Sequence, residues 1–453
     1  MKNQMKEKYG LLTAIAMVVG IVIGSGVFFK AEKVLTATGG NLPLGILAWG
    51  IGGVVMIICA CTFAIMATRY VKVNGLVDYA EITVGRGYAY TVGWFLTFIY
   101  YPSLTSVLAW VSARYIGVIL GWDITGGSVM LLAGFLLIAS YALNALSPVL
   151  AGKFQVSTTI IKLIPLFAMA IVGTIAGLSN GLTVENFTTV VTTVSGGNGG
   201  ALLTAVVATA FAYEGWIIAT SINAELKNAK RNLPIALVLG SIIIIVTYIL
   251  YYIGLAGGAT NAELMESGEA GAKLAFQKIF GNAAGVGLFV LVVISCLGTL
   301  NGLMLASTRG LYSIAVRDIG PRPDLFGEVD EKTNMPTNSS VVGVLVCAAW
   351  LVYFYGANLA PECWFGPVAF DSSELPIVTI YAFYIPIFIV MILKEKDLHP
   401  FKRFVLAPLA VASCVFMIFA AVWAHKTATI WYLAVFVIIM LVSLFFYKKG
   451  NNN

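Results

Sequence analysis

The chain has 453 residues, of which 59% are hydrophobic and only 11% charged. That balance excludes a soluble globular protein and places the chain in a bilayer. The net charge of +6 does not indicate a nucleic-acid partner, because the cations fall between apolar stretches.

About 20 apolar residues cross about 30 Å of hydrocarbon as a helix. Twelve stretches qualify, near 11 to 37, 43 to 68, 88 to 120, 127 to 146, 154 to 177, 201 to 222, 234 to 257, 283 to 308, 339 to 357, 375 to 393, 402 to 424 and 428 to 447. The predicted fold class is all-α integral membrane, one transmembrane domain over 1–453. The loops are too short to bury a core of their own. The start of the chain is cationic but shows no small-residue cleavage site, so the first helix is expected to be retained.

Lys and Arg gather at alternate ends of these spans. One side holds Lys2, Lys6, Lys8, Arg69, Lys72, Arg86, Lys153, Lys227, Lys230, Arg231, Arg309, Arg317, Arg322, Lys332, Lys394, Lys396, Lys402, Arg403, Lys448 and Lys449. The other has only Lys30, Lys33, Lys273, Lys278 and Lys426. This bias predicts a multi-pass protein of the cell membrane with both termini cytoplasmic. Five cysteines lie in apolar helices and Cys363 in an outer loop, so no disulfide framework is expected.

With the loop charges removed, three ionisable residues remain at membrane depth: Arg114, Lys162 and Glu214. A charge at the centre of a spanning helix costs about 2.5 to 3.5 kcal/mol on insertion scales. Arg114 is near the end of its span, within snorkelling reach of the interface. Lys162 lies about 13 Å into the fifth span at helical rise, which favours a functional role. Glu214 is deeper still in the sixth, and two readings stand for it: a working acid, or a protonated carboxyl bonded to a neighbouring helix.

Two spans carry interruptions. The first contains GIVIGSGVFF, Gly20 to Phe29, and the sixth contains FAYEGW, Phe211 to Trp216. Breaks about 190 residues apart, at matching places in two halves, point to an inverted repeat with the site at the breaks. The repeats are then 11–177 and 201–393, spans one to five and six to ten. Gly20 and Gly24 also fit a small-xxx-small packing pattern. If Gly24, Ser25 and Gly26 unwind, their amides meet a carboxylate at a half-helix N-terminus, while carbonyls freed across the breaks suit an ammonium group. A zwitterionic α-amino acid fits both sets. Glycine permits the close approach, having no Cβ.

The motifs in order are IVIGSGVFF, GRGYAYTVGWF, Lys162 seven residues after Gln155, FAYEGW, NAELKNAKRNLPIA and STRGLYSIAVRDIGPRPDLFGEVDEKTNMPTNS. With them the chain resembles the amino acid/polyamine/organocation superfamily, in its L-type amino acid transporter branch, and within that the bacterial exchangers of alanine, serine and cysteine. The resemblance implies five plus five inverted spans, two added C-terminal helices over 402–447, and alternating access to a midplane site. It implies that amides around Gly24, Ser25 and Gly26 hold the substrate carboxylate. Carbonyls of Val22 and Phe211, with Ala212, Tyr213 and Glu214, would hold the ammonium. Phe211 would cap the site, and Tyr213 and Trp216 would either bound the side-chain pocket or simply pack. Lys162 would occupy the region where sodium-coupled relatives bind an ion, donating to first-span carbonyls and to Ser295, Thr299 or Asn301 of the eighth. Exchange without sodium is therefore expected, of small neutral amino acids.

Two departures from the resemblance matter. Glu214 stands where human members have glycine, which leaves a proton-coupled symporter as the alternative. The loop GWDITGG lacks the cysteine that would bond a heavy subunit, so no covalent partner is expected. No H-E-x-x-H, G-x-S-x-G or P-loop occurs, and His399 and His425 are assigned to opposite membrane faces, so neither an enzyme, a metal nor a cofactor is expected. Nothing suggests a channel filter. One deep acid makes cationic substrates a poor fit.

Overall fold

A computed structural model describes residues 10–70, 75–194, 196–219, 226–331, 333 and 335–447. The topology cations Lys2, Lys6, Lys8, Lys72, Lys332, Lys448 and Lys449 lie outside the described residues, as do the end of the sixth predicted span at 220–222 and Asn223, Ala224 and Glu225 of the loop motif.

The regular elements are helices. The first predicted span forms α1 (Leu11–Val22) and α2 (Gly26–Ala37), separated by three non-helical residues. There follow α3 (Leu42–Arg69), α4 (Arg86–Leu120), α5 (Gly127–Leu146) and α6 (Val149–Ser179). The sixth predicted span forms α7 (Gly197–Tyr213) and the short α8 (Trp216–Ala219). The remaining long helices are α9 (Ala229–Gly258), α10 (Asn282–Thr308), α11 (Thr337–Asn358), α12 (Leu375–Lys394), α13 (Lys402–His425) and α14 (Thr427–Phe446). Among the described residues, ten helices are long and apolar enough to cross a membrane, and Leu11–Gly20 and Gly197–Tyr213 are shorter apolar stretches. On α14, Leu444 and Phe445 are 66% and 85% exposed, as side chains facing lipid are.

The chain divides into two compact units. The first takes the described residues within 1–84, 160–292 and 381–424, the second those within 85–159, 293–380 and 425–453. In the first unit α9 packs on α1, α3 and the later half of α6. The α6 contact is made by small residues: a Cβ on Gly254 would lie 2.2 Å from the Met169 carbonyl, and one on Gly257 2.2 Å from the Gly173 carbonyl. Side chains there would force the helices apart. Phe63 of α3 packs with Tyr79, Trp216, Tyr384 and Phe388.

Three helices too short and polar to be read as spans, Leu182–Thr188, Asn261–Ser267 and Gly271–Phe280, stand between the long ones. Two buried asparagines tie the first two of these to the end of α9 and to the turn after α2. Asn186 Nδ2 donates to the Ala256 and Ala259 carbonyls at 2.7 and 3.0 Å, and Asn261 Nδ2 to the Gly40 carbonyl at 2.7 Å. Thr260 and Glu263 form a reciprocal cap on Asn261–Ser267. The Lys278 ammonium, then the Thr260 amide, hold the Glu263 carboxyl below its ordinary value of 4.5. A depressed carboxylate supports its helix above that value and loses the contribution as pH falls through the folded pKa. Acidification to about pH 3 is expected to lower the protection factors of amides at 261–267 in the wild type and to leave those of Glu263→Gln unchanged, as read by hydrogen–deuterium exchange corrected for the intrinsic pH dependence of the rate.

In the second unit α4 packs on α5 and α11. The indole of Trp350 donates to the Phe98 carbonyl at 2.9 Å, and Trp94 to the Ile439 carbonyl of α14 at 3.0 Å. A buried amide chain joins α5, α6 and α10: Asn144 Nδ2 donates to Asn301 Oδ1 at 2.9 Å, and Asn301 Nδ2 to Gln155 Oε1 at 3.0 Å.

Candidate functional site

An unbroken helix would pair the Gly20 carbonyl with the Gly24 amide and the Val22 carbonyl with the Gly26 amide. Here α1 stops at Val22, Ile23 turns to extended geometry (φ −65°, ψ 103°), and α2 restarts at Gly26, with the Ser25 carbonyl accepting from the Phe28 and Phe29 amides at 3.1 Å each. The carbonyls at the end of α1 therefore need other donors. Lys162 supplies one, its Nζ donating to the Gly20 carbonyl at 2.8 Å. The lysine is 6% exposed and stands where α6 makes a turn between Ile161 and Leu163.

The second break is built alike. α7 ends at Tyr213, Glu214 is extended (φ −68°, ψ 155°), and Gly215 takes φ +105°, a conformation that favours glycine. The two breaks come together at Gly26. A Cβ there would lie 2.6 Å from the Ala212 Cα and 3.1 Å from the Phe211 carbonyl.

One side chain serves both breaks. The Tyr248 hydroxyl of α9 lies 3.0 Å from the Ala212 carbonyl and 3.3 Å from the Val22 carbonyl, and the Gly24 amide is within hydrogen-bonding reach of its oxygen. Sequence analysis missed it. The available signal was a phenol deep in the apolar run IIIIVTYILYY, where a tyrosine hydroxyl needs a partner. Tyr248→Phe is expected to cut exchange about tenfold by removing the one hydroxyl hydrogen that the Ala212 and Val22 carbonyls share and that ties the two breaks together, while keeping the aromatic contacts with Trp49 and Tyr213. Initial rates of labelled amino acid exchange check it.

Val22, Gly24, Ser25, Gly26, Phe211 and Ala212 thus gather at one place in the first unit. Tyr213 and Glu214 adjoin them but send their side chains elsewhere. The Tyr213 hydroxyl donates to the Trp49 carbonyl of α3 at 2.8 Å, and Trp216 packs against Phe63 and Tyr384. The Glu214 carboxyl lies in electrostatic range of Cys59, Tyr381, Tyr384 and, through Cys59, the neighbouring Cys414. Ser295, Thr299 and Asn301 belong to the second unit. Thr299 Oγ1 donates to the Ser295 carbonyl at 3.1 Å, and Asn301 sits in the amide chain described above.

Two of the charges read from the sequence lie against aromatic rings. Lys30, counted among the loop cations, is 0% exposed on α2, because the helix carries it beneath the rings of Phe29 and Phe211. Arg114 has its guanidinium over the Trp110 ring, 4.6 Å from the centroid, so its stem does more than reach for the interface.

Helices opened midway, with main-chain polar groups gathered inside an apolar bundle, define a membrane transporter and not an enzyme. Residues 9–445 match the amino acid permease family, and the chain belongs to it, within the amino acid/polyamine/organocation superfamily. It is similar to the serine/threonine exchanger SteT of Bacillus subtilis (strain 168), with 29% identity over 90% of this chain and 87% of that one. It is also similar to the b(0,+)-type amino acid transporter 1 of Mus musculus, 28% identical over 79% and 75% of the two chains. The cystine/glutamate transporter of Homo sapiens shares 25% identity over 75% and 67%.

Proposed function

We propose that the chain is a sodium-independent exchanger of small neutral L-amino acids, working by alternating access with both termini cytoplasmic and five plus five inverted spans followed by two further helices. The observation that carries this reading is the Tyr248 hydroxyl bonded to carbonyls from both breaks, beside the α2 N-terminus. A substrate ammonium would take over the Val22, Phe211 and Ala212 carbonyls, and its carboxylate the amides at Gly24, Ser25 and Gly26. Phe211 would cover the bound molecule. Lys162, already bonded to the first break, would hold that break without sodium. The similarity to a serine/threonine exchanger supports small substrates and exchange.

A proton-coupled symporter is the second reading. It is favoured by Glu214, a carboxyl set among Cys59, Tyr381 and Tyr384. No covalent partner subunit is proposed. Counterflow in proteoliposomes tests these points. Uptake of labelled serine or alanine should require internal unlabelled amino acid, ignore sodium and persist without a pH gradient. Uptake into empty vesicles driven by a proton gradient would favour the symporter, and dependence on sodium would refute the role given to Lys162.

A further inference from the structure

Lys30 is a lysine with 0% exposure on α2, one helical turn beyond Gly26. Its ammonium lies 4.9 Å from the ring centroid of Phe29 and 5.3 Å from that of Phe211. The two rings meet edge-on with centroids 5.8 Å apart, and Lys33 covers Phe29 at 5.3 Å. The first break thus carries a cation on the very residue that the second break would use as its lid. Cation–π attraction is strongest where the ammonium is desolvated, and a fully buried lysine meets that condition. The contact can form only while Phe211 lies down against α2, so it stabilises one position of the ring and not the other.

We propose that Lys30 is a positioning residue that holds Phe211 closed over the substrate site from the outer side. This rests on the exchanger reading and on the orientation given above. With the cation removed, the closed position loses its extra stabilisation and the population moves toward the outward-open form. A ligand's apparent affinity varies with the fraction of protein in the form that binds it. Lys30→Met is therefore expected to raise the KM for internal substrate about tenfold, while the KM for external substrate stays level or falls. Lys30→Arg keeps a cation and should behave like the wild type. In a Phe211→Leu background, adding Lys30→Met should change nothing further, because the ring it acts on is gone.

The experiment is exchange by purified protein in proteoliposomes of known orientation, with KM measured on each side. It is paired with hydrogen–deuterium exchange of the same variants in detergent without substrate. In the second measurement Lys30→Met should speed exchange at 207–213 and Lys30→Arg should not. Equal movement of both KM values, equal behaviour of the methionine and arginine variants, or unchanged exchange at 207–213 overturns the proposal. Absence of amino acid exchange by the wild type would instead overturn the transport reading, while the deuterium measurement still decides whether the clasp exists. A methionine variant that fails to fold is replaced by Lys30→Gln, judged by the same two measurements.

Discussion

Replacing Lys162 by methionine is expected to reduce exchange by about 10- to 100-fold without loss of membrane insertion. The ammonium is the donor to the Gly20 carbonyl, a group the break deprives of its own helical amide. A buried acceptor left without a partner costs about 1–3 kcal/mol, and each 1.4 kcal/mol is tenfold. Methionine preserves much of the volume, so the loss reports the hydrogen bond and charge more than the packing. Added sodium should not restore the rate. Counterflow normalised to protein content measures the effect, and a methionine variant at wild-type rate would remove Lys162 from the mechanism.

A single methyl group at Gly26 is expected to be nearly as damaging. Its Cβ would lie 2.6 Å from the Ala212 Cα, 3.1 Å from the Phe211 carbonyl oxygen and 3.2 Å from the Ala212 nitrogen. All three are main-chain atoms, which cannot rotate aside as a side chain can. Overpacking of this kind costs about 1–3 kcal/mol, and here it would push the two breaks apart. Gly26→Ala should lower the melting temperature by several degrees and cut exchange more than tenfold. Gly50→Ala is the control, because a Cβ on Gly50 meets nothing within 4 Å. It should melt and transport like the wild type.

Much of this architecture was legible in the sequence, and the reasons are physical. Bilayer thickness imposes a length on apolar runs, so the long helices from α3 to α14 announce themselves. The breaks were marked by glycines where lipid penalises open backbone, at Gly24 and Gly26 and again at Gly215. Lys162 stood out because a cation at that depth needs a partner. What could not be read was pairing across long sequence separation. Tyr248 is more than 220 residues from Val22, and no local pattern says which phenol in a run of three meets a carbonyl there. The burial of Lys30 was not foreseen because the predicted span 11–37 ends in a mixed stretch, FFKAEKVL, whose charges hydropathy assigns to the membrane surface, and no local pattern shows that the helix covers this one. The short helices at 182–188, 261–267 and 271–280 lack the length by which spans are recognised.

The glycine contact between α6 and α9 constrains how α6 can articulate. Gly254 and Gly257 face the carbonyls of Met169 and Gly173, the first and last residues of a segment where α6 widens to π-helical geometry. Main chain bears directly on main chain at both points, so neither helix can slide or roll there without a collision. That fixes the distal stretch of α6 to α9 like a splint. Lys162, with helical backbone angles (φ −63°, ψ −23°), lies about two turns before that segment. Lys162, whose ammonium grips the Gly20 carbonyl of the first break, is thereby carried on a stretch of helix held in register with α9.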